Sequence, residues 1–142
     1  MAQKENNIIP MIFDEAFYRK MATQKWRQQD YKKAAEYYEK VLELSPKDFD
    51  IQQHYAQCLV KLNIGKKAEY LFYENIVKDF HVAESFYELS QLNIELNEPN
   101  KAFLFGINYV ILSDDKDFRE MLEKTFEVTY TSEQKIELEA QL

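Results

Sequence analysis

Turn-forming residues are scarce in this chain, which has 2 Gly and 3 Pro in 142 residues. The two glycines, Gly65 and Gly106, stand far apart, which excludes a glycine-rich phosphate loop. The single cysteine, Cys58, excludes a disulfide framework and any zinc site built on several thiolates, and it suits a reducing compartment. Long apolar runs are also missing. Ile8-Ile9-Pro10-Met11-Ile12-Phe13 is broken by proline and too short for a signal core or a membrane span. Only two histidines occur, His54 and His81, and neither a Gly-x-Ser-x-Gly elbow nor a His-Glu-x-x-His pair is present. No catalytic constellation is legible, so the reading is a non-enzymatic, cytoplasmic protein with no cofactor and no metal.

What remains is rich in helix formers. The chain is 46% apolar and 15% aromatic, too apolar for a disordered segment, and Lys, Glu, Gln, Leu and Ala dominate. The formal charge of −7 disfavours nucleic acid, which requires Lys and Arg against phosphates. That charge is uneven. Residues 15–48 hold 8 basic and 6 acidic residues, a net +2, and residues 49–82 hold 4 and 4. Residues 83–116 hold 2 and 6, and residues 117–142 hold 3 and 7, each a net −4. The aromatics run beside acids, as in Glu36-Tyr37-Tyr38-Glu39. Basic-aromatic mixtures are confined to Phe17-Tyr18-Arg19-Lys20 and Lys25-Trp26-Arg27.

Self-comparison is the informative test. Ala34, Ala68 and Ala102 recur every 34 residues, and Ala22, Ala56 and Ser90 are small in the same register. Met21, Tyr55 and Leu89 are large and apolar, as are Leu42, Ile76 and Val110. Tyr38 and Phe72 agree, whereas Gly106 departs from that column. In the middle copy, Tyr55, Ala56, Leu59 and Leu62 have helical spacing, and Ala68, Leu71, Phe72 and Ile76 follow a turn at Asn63-Ile64-Gly65. The pattern predicts two packed helices per copy, with small residues setting their approach. Asn63 and Asn97 are equivalent and suit left-handed helix ends. Asp14 and Asp48 are candidate caps. Asp114-Asp115-Lys116-Asp117 lacks the glycine of a calcium loop and reads as an acidic helix start. Thr131 and Gln134 suggest a capping box for a last helix.

The run Gln29-Asp30-Tyr31-Lys32-Lys33-Ala34-Ala35-Glu36-Tyr37-Tyr38-Glu39-Lys40-Val41-Leu42-Glu43-Leu44-Ser45-Pro46 resembles the second half of a tetratricopeptide repeat. Its alanine, its aromatic four residues later and its closing proline carry the resemblance, together with the 34-residue period. The resemblance implies an all-α fold, a right-handed α-α superhelix of antiparallel helix pairs. The expected divisions are an arm and helix start at 1–14, repeats at 15–48, 49–82 and 83–116, and atypical helices at 117–142. Ile136, Leu138 and Leu142 have no later helix to cover them, so the chain reads as the N-terminal part of a longer array.

The resemblance also implies a function, a protein-protein interaction scaffold that binds a peptide in a concave groove. Carried over by position, the first set is Arg19, Lys20, Thr23, Trp26 and Arg27. The second is Gln53, His54, Gln57, Val60 and Lys61, and the third is Tyr87, Glu88, Gln91, Ile94 and Glu95. Such a groove would be basic at one end and acidic at the other. Trp26 is the expected anchor, against a simple packing role on the turn at Gln29-Asp30. A carboxylate-gripping mode is excluded, because Glu84 and Glu88 would repel a terminal carboxylate. His54 and Cys58 lie one turn apart, but two ligands make no metal site, and Cys58 reads as a small buried residue. Two alternatives stand beside the scaffold. One is a self-associating module that forms homo-oligomers through its open C-terminal end. The other is a regulatory domain of a larger enzyme or transcription regulator. No membrane partner is expected.

Overall fold

The computed structural model describes residues 14–129. Those residues form seven helices and no strand: α1 (Glu15–Arg27), α2 (Tyr31–Leu44), α3 (Phe49–Lys61), α4 (Gly65–Val77), α5 (Val82–Glu95), α6 (Pro99–Ser113) and α7 (Lys116–Thr129). The expected all-α class holds. The capping box at Thr131 and Gln134 and the apolar residues Ile136, Leu138 and Leu142 lie outside the described residues.

Four of the helices begin at an aspartate cap. Asp14, Asp30, Asp48 and Asp115 accept hydrogen bonds from the backbone N–H groups of Phe17, Lys33, Ile51 and Phe118, at 2.9–3.3 Å. Each satisfies a donor that has no partner inside its helix. The ends of α1, α3 and α5 repeat a single geometry. Gln29, Asn63 and Asn97 take positive φ of 59°, 61° and 56°. Their N–H groups donate to the carbonyls of Trp26, Val60 and Ile94. The next N–H in each case reaches back to Lys25, Leu59 and Asn93. This paired 5→2 and 6→1 closure lets the chain reverse within three residues. Asparagine was legible in the second and third turns; Gln29 does the same work in the first.

The chain divides into two compact units, one ending at Leu71 and the other beginning at Phe72. In the first, α1 packs on α2 and α2 on α3. Ala22, Ala34, Ala56 and Ala68 are fully buried, with Tyr38, Val41, Tyr55, Cys58 and Leu59 filling the space beside them. In the second, α5 packs on α6 and α6 on α7. Ser90 and Ala102 are fully buried there, and the Ser90 hydroxyl donates to the Ala102 carbonyl at 2.8 Å. That bond joins a side chain on one helix to the backbone of its neighbour, so the two helices approach closely.

Gly106 explains why the aromatic column stops. A β-carbon at this position would lie 2.7 Å from Leu122 Cδ1 and 3.0 Å from Ser90 Oγ. The volume that Tyr38 and Phe72 fill in α2 and α4 is here occupied by Leu122 of α7, which is 1% exposed. The third pair is thus packed tightly by a residue outside its own helices. Gly106→Leu is expected to lower unfolding stability by about 1–3 kcal/mol through overpacking. Adding Leu122→Ala to that variant should recover part of the loss, as measured by urea unfolding. Full additivity of the two losses would contradict this packing.

Candidate interaction site

The first predicted set lies on α1. A cleft of about 780 Å³ runs along this helix, lined by Arg19, Lys20, Thr23, Gln24, Arg27 and Gln28. These residues recur at i, i+1, i+4, i+5, i+8 and i+9, one broad face of a helix. Lys20, Thr23, Gln24, Arg27 and Gln28 are exposed. Arg19, Thr23 and Arg27 were expected on this face. Gln24 and Gln28 were missed, although their spacing from Lys20 could have found them.

Arg19 is committed within the fold. Its guanidinium pairs with Glu15 at 2.6 Å and with Asp48, whose carboxylate also caps α3. The hydrogen bond to Asp48, and then that to Glu15, holds the guanidinium above its ordinary pKa. The Arg19 hydrogen bond holds the Glu15 carboxyl below its ordinary value. Partial burial pushes Asp48 up, but Arg19 and the Ile51 N–H outweigh it and leave it lowered. The basic end of the face is therefore Lys20 and Arg27, not Arg19. The i,i+4 pair with Glu15 was legible in the sequence; the link to Asp48, 29 residues away, was not.

Trp26 is half-buried and meets Tyr31 edge-to-face, with ring centroids 5.2 Å apart. It packs α1 against the start of α2 and is not among the residues that line the cleft. This is packing of the kind weighed against the anchor role, made on Tyr31 rather than on the turn at Gln29-Asp30. Of the second set, Gln53 is 1% exposed, so it lies in the helix interface rather than on a groove. Tertiary packing turns its whole helix face inward. His54 is exposed and stacks on Tyr38, with centroids 6.0 Å and planes 16° apart. Gln57 and Val60 are half-buried. A smaller cleft of about 350 Å³ is lined by Glu39, Leu42, Glu43, Tyr55 and Lys67. Its polar groups serve one another: the Tyr55 hydroxyl donates to Glu39 at 2.5 Å, and Lys67 Nζ stands 5.3 Å above the Tyr55 ring. Burial pushes the Cys58 thiol up to about 12, consistent with an inert, buried residue.

The third set belongs to the second unit. Tyr87 packs on Tyr109 and Phe118, each at 5.2 Å, and Ile94 leans on the same cluster. Both were expected to face a ligand; both are half-buried and lean on residues of α6 and α7. Glu88 and Gln91 are half-buried, and the Gln91 amide donates to the Tyr87 hydroxyl at 3.2 Å. Among the described residues no three His, Cys, Asp or Glu side chains gather as metal ligands. Nor is any described helix long and apolar enough to cross a membrane.

Asp48→Asn keeps the cap, because Asn caps as well as Asp, but removes one of the two carboxylates that pair with Arg19. A loss of about 0.5–1 kcal/mol is expected at pH 7. A lowered carboxylate contributes stability above its unfolded pKa and loses it as pH falls through the folded value. The gap between wild type and variant should therefore close below about pH 4. Urea unfolding at several pH values checks this.

Comparison with known proteins adds three findings. Residues 25–72 match a family model described as tetratricopeptide repeat. No curated protein matches the chain. Among solved structures, one titled "Crystal structure of MamA protein" is similar, with a TM-score of 0.71, 19% identity and 81% of this chain covered. The match spans 63% of that chain's length, and at this identity it bears on fold alone.

Proposed function

We propose, from the premise of a chain that carries the tetratricopeptide repeat, that it is a non-enzymatic protein-interaction scaffold and that α1 presents its peptide-binding face. The observation that supports this reading is the α1 cleft. Two exposed cations, Lys20 and Arg27, are separated along it by Thr23 and Gln24, with Gln28 at its end. Side-chain amides and a hydroxyl suit the backbone of an extended peptide, while the cations select for acidic side chains. The partner is accordingly an acidic segment of another protein. Arg19 shapes the face by holding α1 to the α3 cap, and Trp26 supports it from behind.

The test uses a fluorescein-labelled Asp/Glu-rich peptide and its Lys-rich counterpart, read by anisotropy. The acidic peptide should bind, and more weakly as salt rises. Lys20→Glu with Arg27→Glu should weaken it by about tenfold or more, equivalent to about 1.4 kcal/mol, with helicity unchanged. Trp26→Ala should lower the melting temperature before it alters affinity. Affinity indifferent to the double charge reversal would remove α1 as the binding face.

A further inference from the structure

Reading the second helix of each pair in the 34-residue register exposes a gradient on its outer stripe. The positions 36, 39 and 43 are Glu, Glu and Glu in α2. Their equivalents in α4 are Tyr70, Tyr73 and Val77, and those in α6 are Leu104, Ile107 and Ile111. Those three positions are acidic in α2 and apolar in α6, where Ile107 packs against the unit's core and Ile111 is left exposed. In α6 the 15 residues include one charge, Lys101. Its exposed polar residues are Asn100, Lys101, Asn108 and Ser113, and large apolar residues of such a helix are normally covered. Yet Ile111 is 73% exposed, Leu112 is 55% exposed, and Val77 of α4 is 79% exposed. These positions lie in one unit, and its two helices meet there, with Tyr73 and Phe105 ring centroids 5.5 Å apart. Val77 follows Tyr73 by one turn, and Leu112 follows Phe105 by two. The exposed apolar surface thus lies toward the C-terminal ends of both helices.

The charges around that end are mostly negative. Glu74 and Asp79 flank the α4 portion beside Lys78, and Asp114, Asp115 and Asp117 follow α6 beside Lys116. Two helix C-termini add partial negative charge. From this geometry we infer that the stripe of Tyr73, Val77, Phe105, Ile111 and Leu112 docks a basic amphipathic helix of a partner protein. The apolar side of such a helix covers the stripe, and its lysines and arginines meet the acidic rim. Charge argues against the other occupants. A second copy would bring the same acidic rim against this one. Residues 130–142 of the chain carry three glutamates against one lysine. An anionic membrane would be repelled as well. The surface is a different one from the α1 face, so either can fail without the other.

The experiment uses the whole chain and a labelled helix of leucine and lysine about four turns long, with a leucine and glutamate helix as control. The lysine peptide should bind with an affinity that falls with salt, and the glutamate peptide should not. Ile111→Ser and Val77→Ser change no charge and replace exposed residues, so folding should persist, as circular dichroism will show. Each should weaken the lysine peptide, and together by about tenfold or more, because each removes apolar surface that the peptide would cover. Binding unaffected by both variants would overturn the proposal, since it would then report only general acidity. Equal binding of the glutamate peptide would overturn it as well. So would concentration-dependent dimerisation, or sedimentation with phosphatidylcholine or phosphatidylserine vesicles, if Ile111→Ser abolished either one. Peptide binding that appears only after removal of residues 130–142 would assign the stripe to the chain's own segment and equally refute the inference.

Discussion

The close approach of paired helices at small residues is the constraint on which the rest depends. Ala22, Ala34, Ala56, Ala68, Ser90 and Ala102 are all fully buried. A side chain larger than these would hold the backbones apart and open voids beside Tyr38, Tyr55 and Leu89. The Ser90 bond to the Ala102 carbonyl shows how near the third pair comes. The short reversals after α1, α3 and α5 serve that approach. A left-handed residue followed by a doubly bonded turn brings the next helix back with no slack.

Electrostatics arranges what packing leaves outside. Arg19 is spent on Glu15 and Asp48, so one side chain couples the first helix to the cap of the third. The cations that remain on the α1 cleft are displaced toward Lys20 and Arg27. In the second unit, Asp115 caps α7 and accepts a hydrogen bond from the Tyr109 hydroxyl at 2.8 Å, while Tyr109 meets Tyr87 and Phe118 edge-to-face. A residue read from sequence as a helix-start acid is thereby tied to the aromatic cluster that absorbs Tyr87.

The departures from repeat regularity follow the same logic. Gly106 is small because Leu122 comes from the next helix to fill its place. The outer stripe loses its glutamates between α2 and α6, and Ile111 and Leu112 are left exposed. The departure at Gly106 is explained by a neighbour within the chain.

The period of 34, the helix pairs, the buried alanines, the caps at Asp14 and Asp48 and the buried Cys58 were all legible in the sequence. Each depends on local spacing or on residue size, and these do not change with tertiary context. The ligand-facing residues were not legible in the same way. Position in a repeat says which side of a helix a residue occupies, but not what else competes for that side. Gln53 was drawn into the interface, Tyr87 and Ile94 into the α6–α7 cluster, Trp26 onto Tyr31, and Arg19 onto Asp48. Those outcomes join residues distant in sequence or packed from a neighbouring helix, and a side chain with an available partner inside the fold will take it before any ligand arrives. Only the tertiary structure could decide which of the candidate residues already have partners inside the fold.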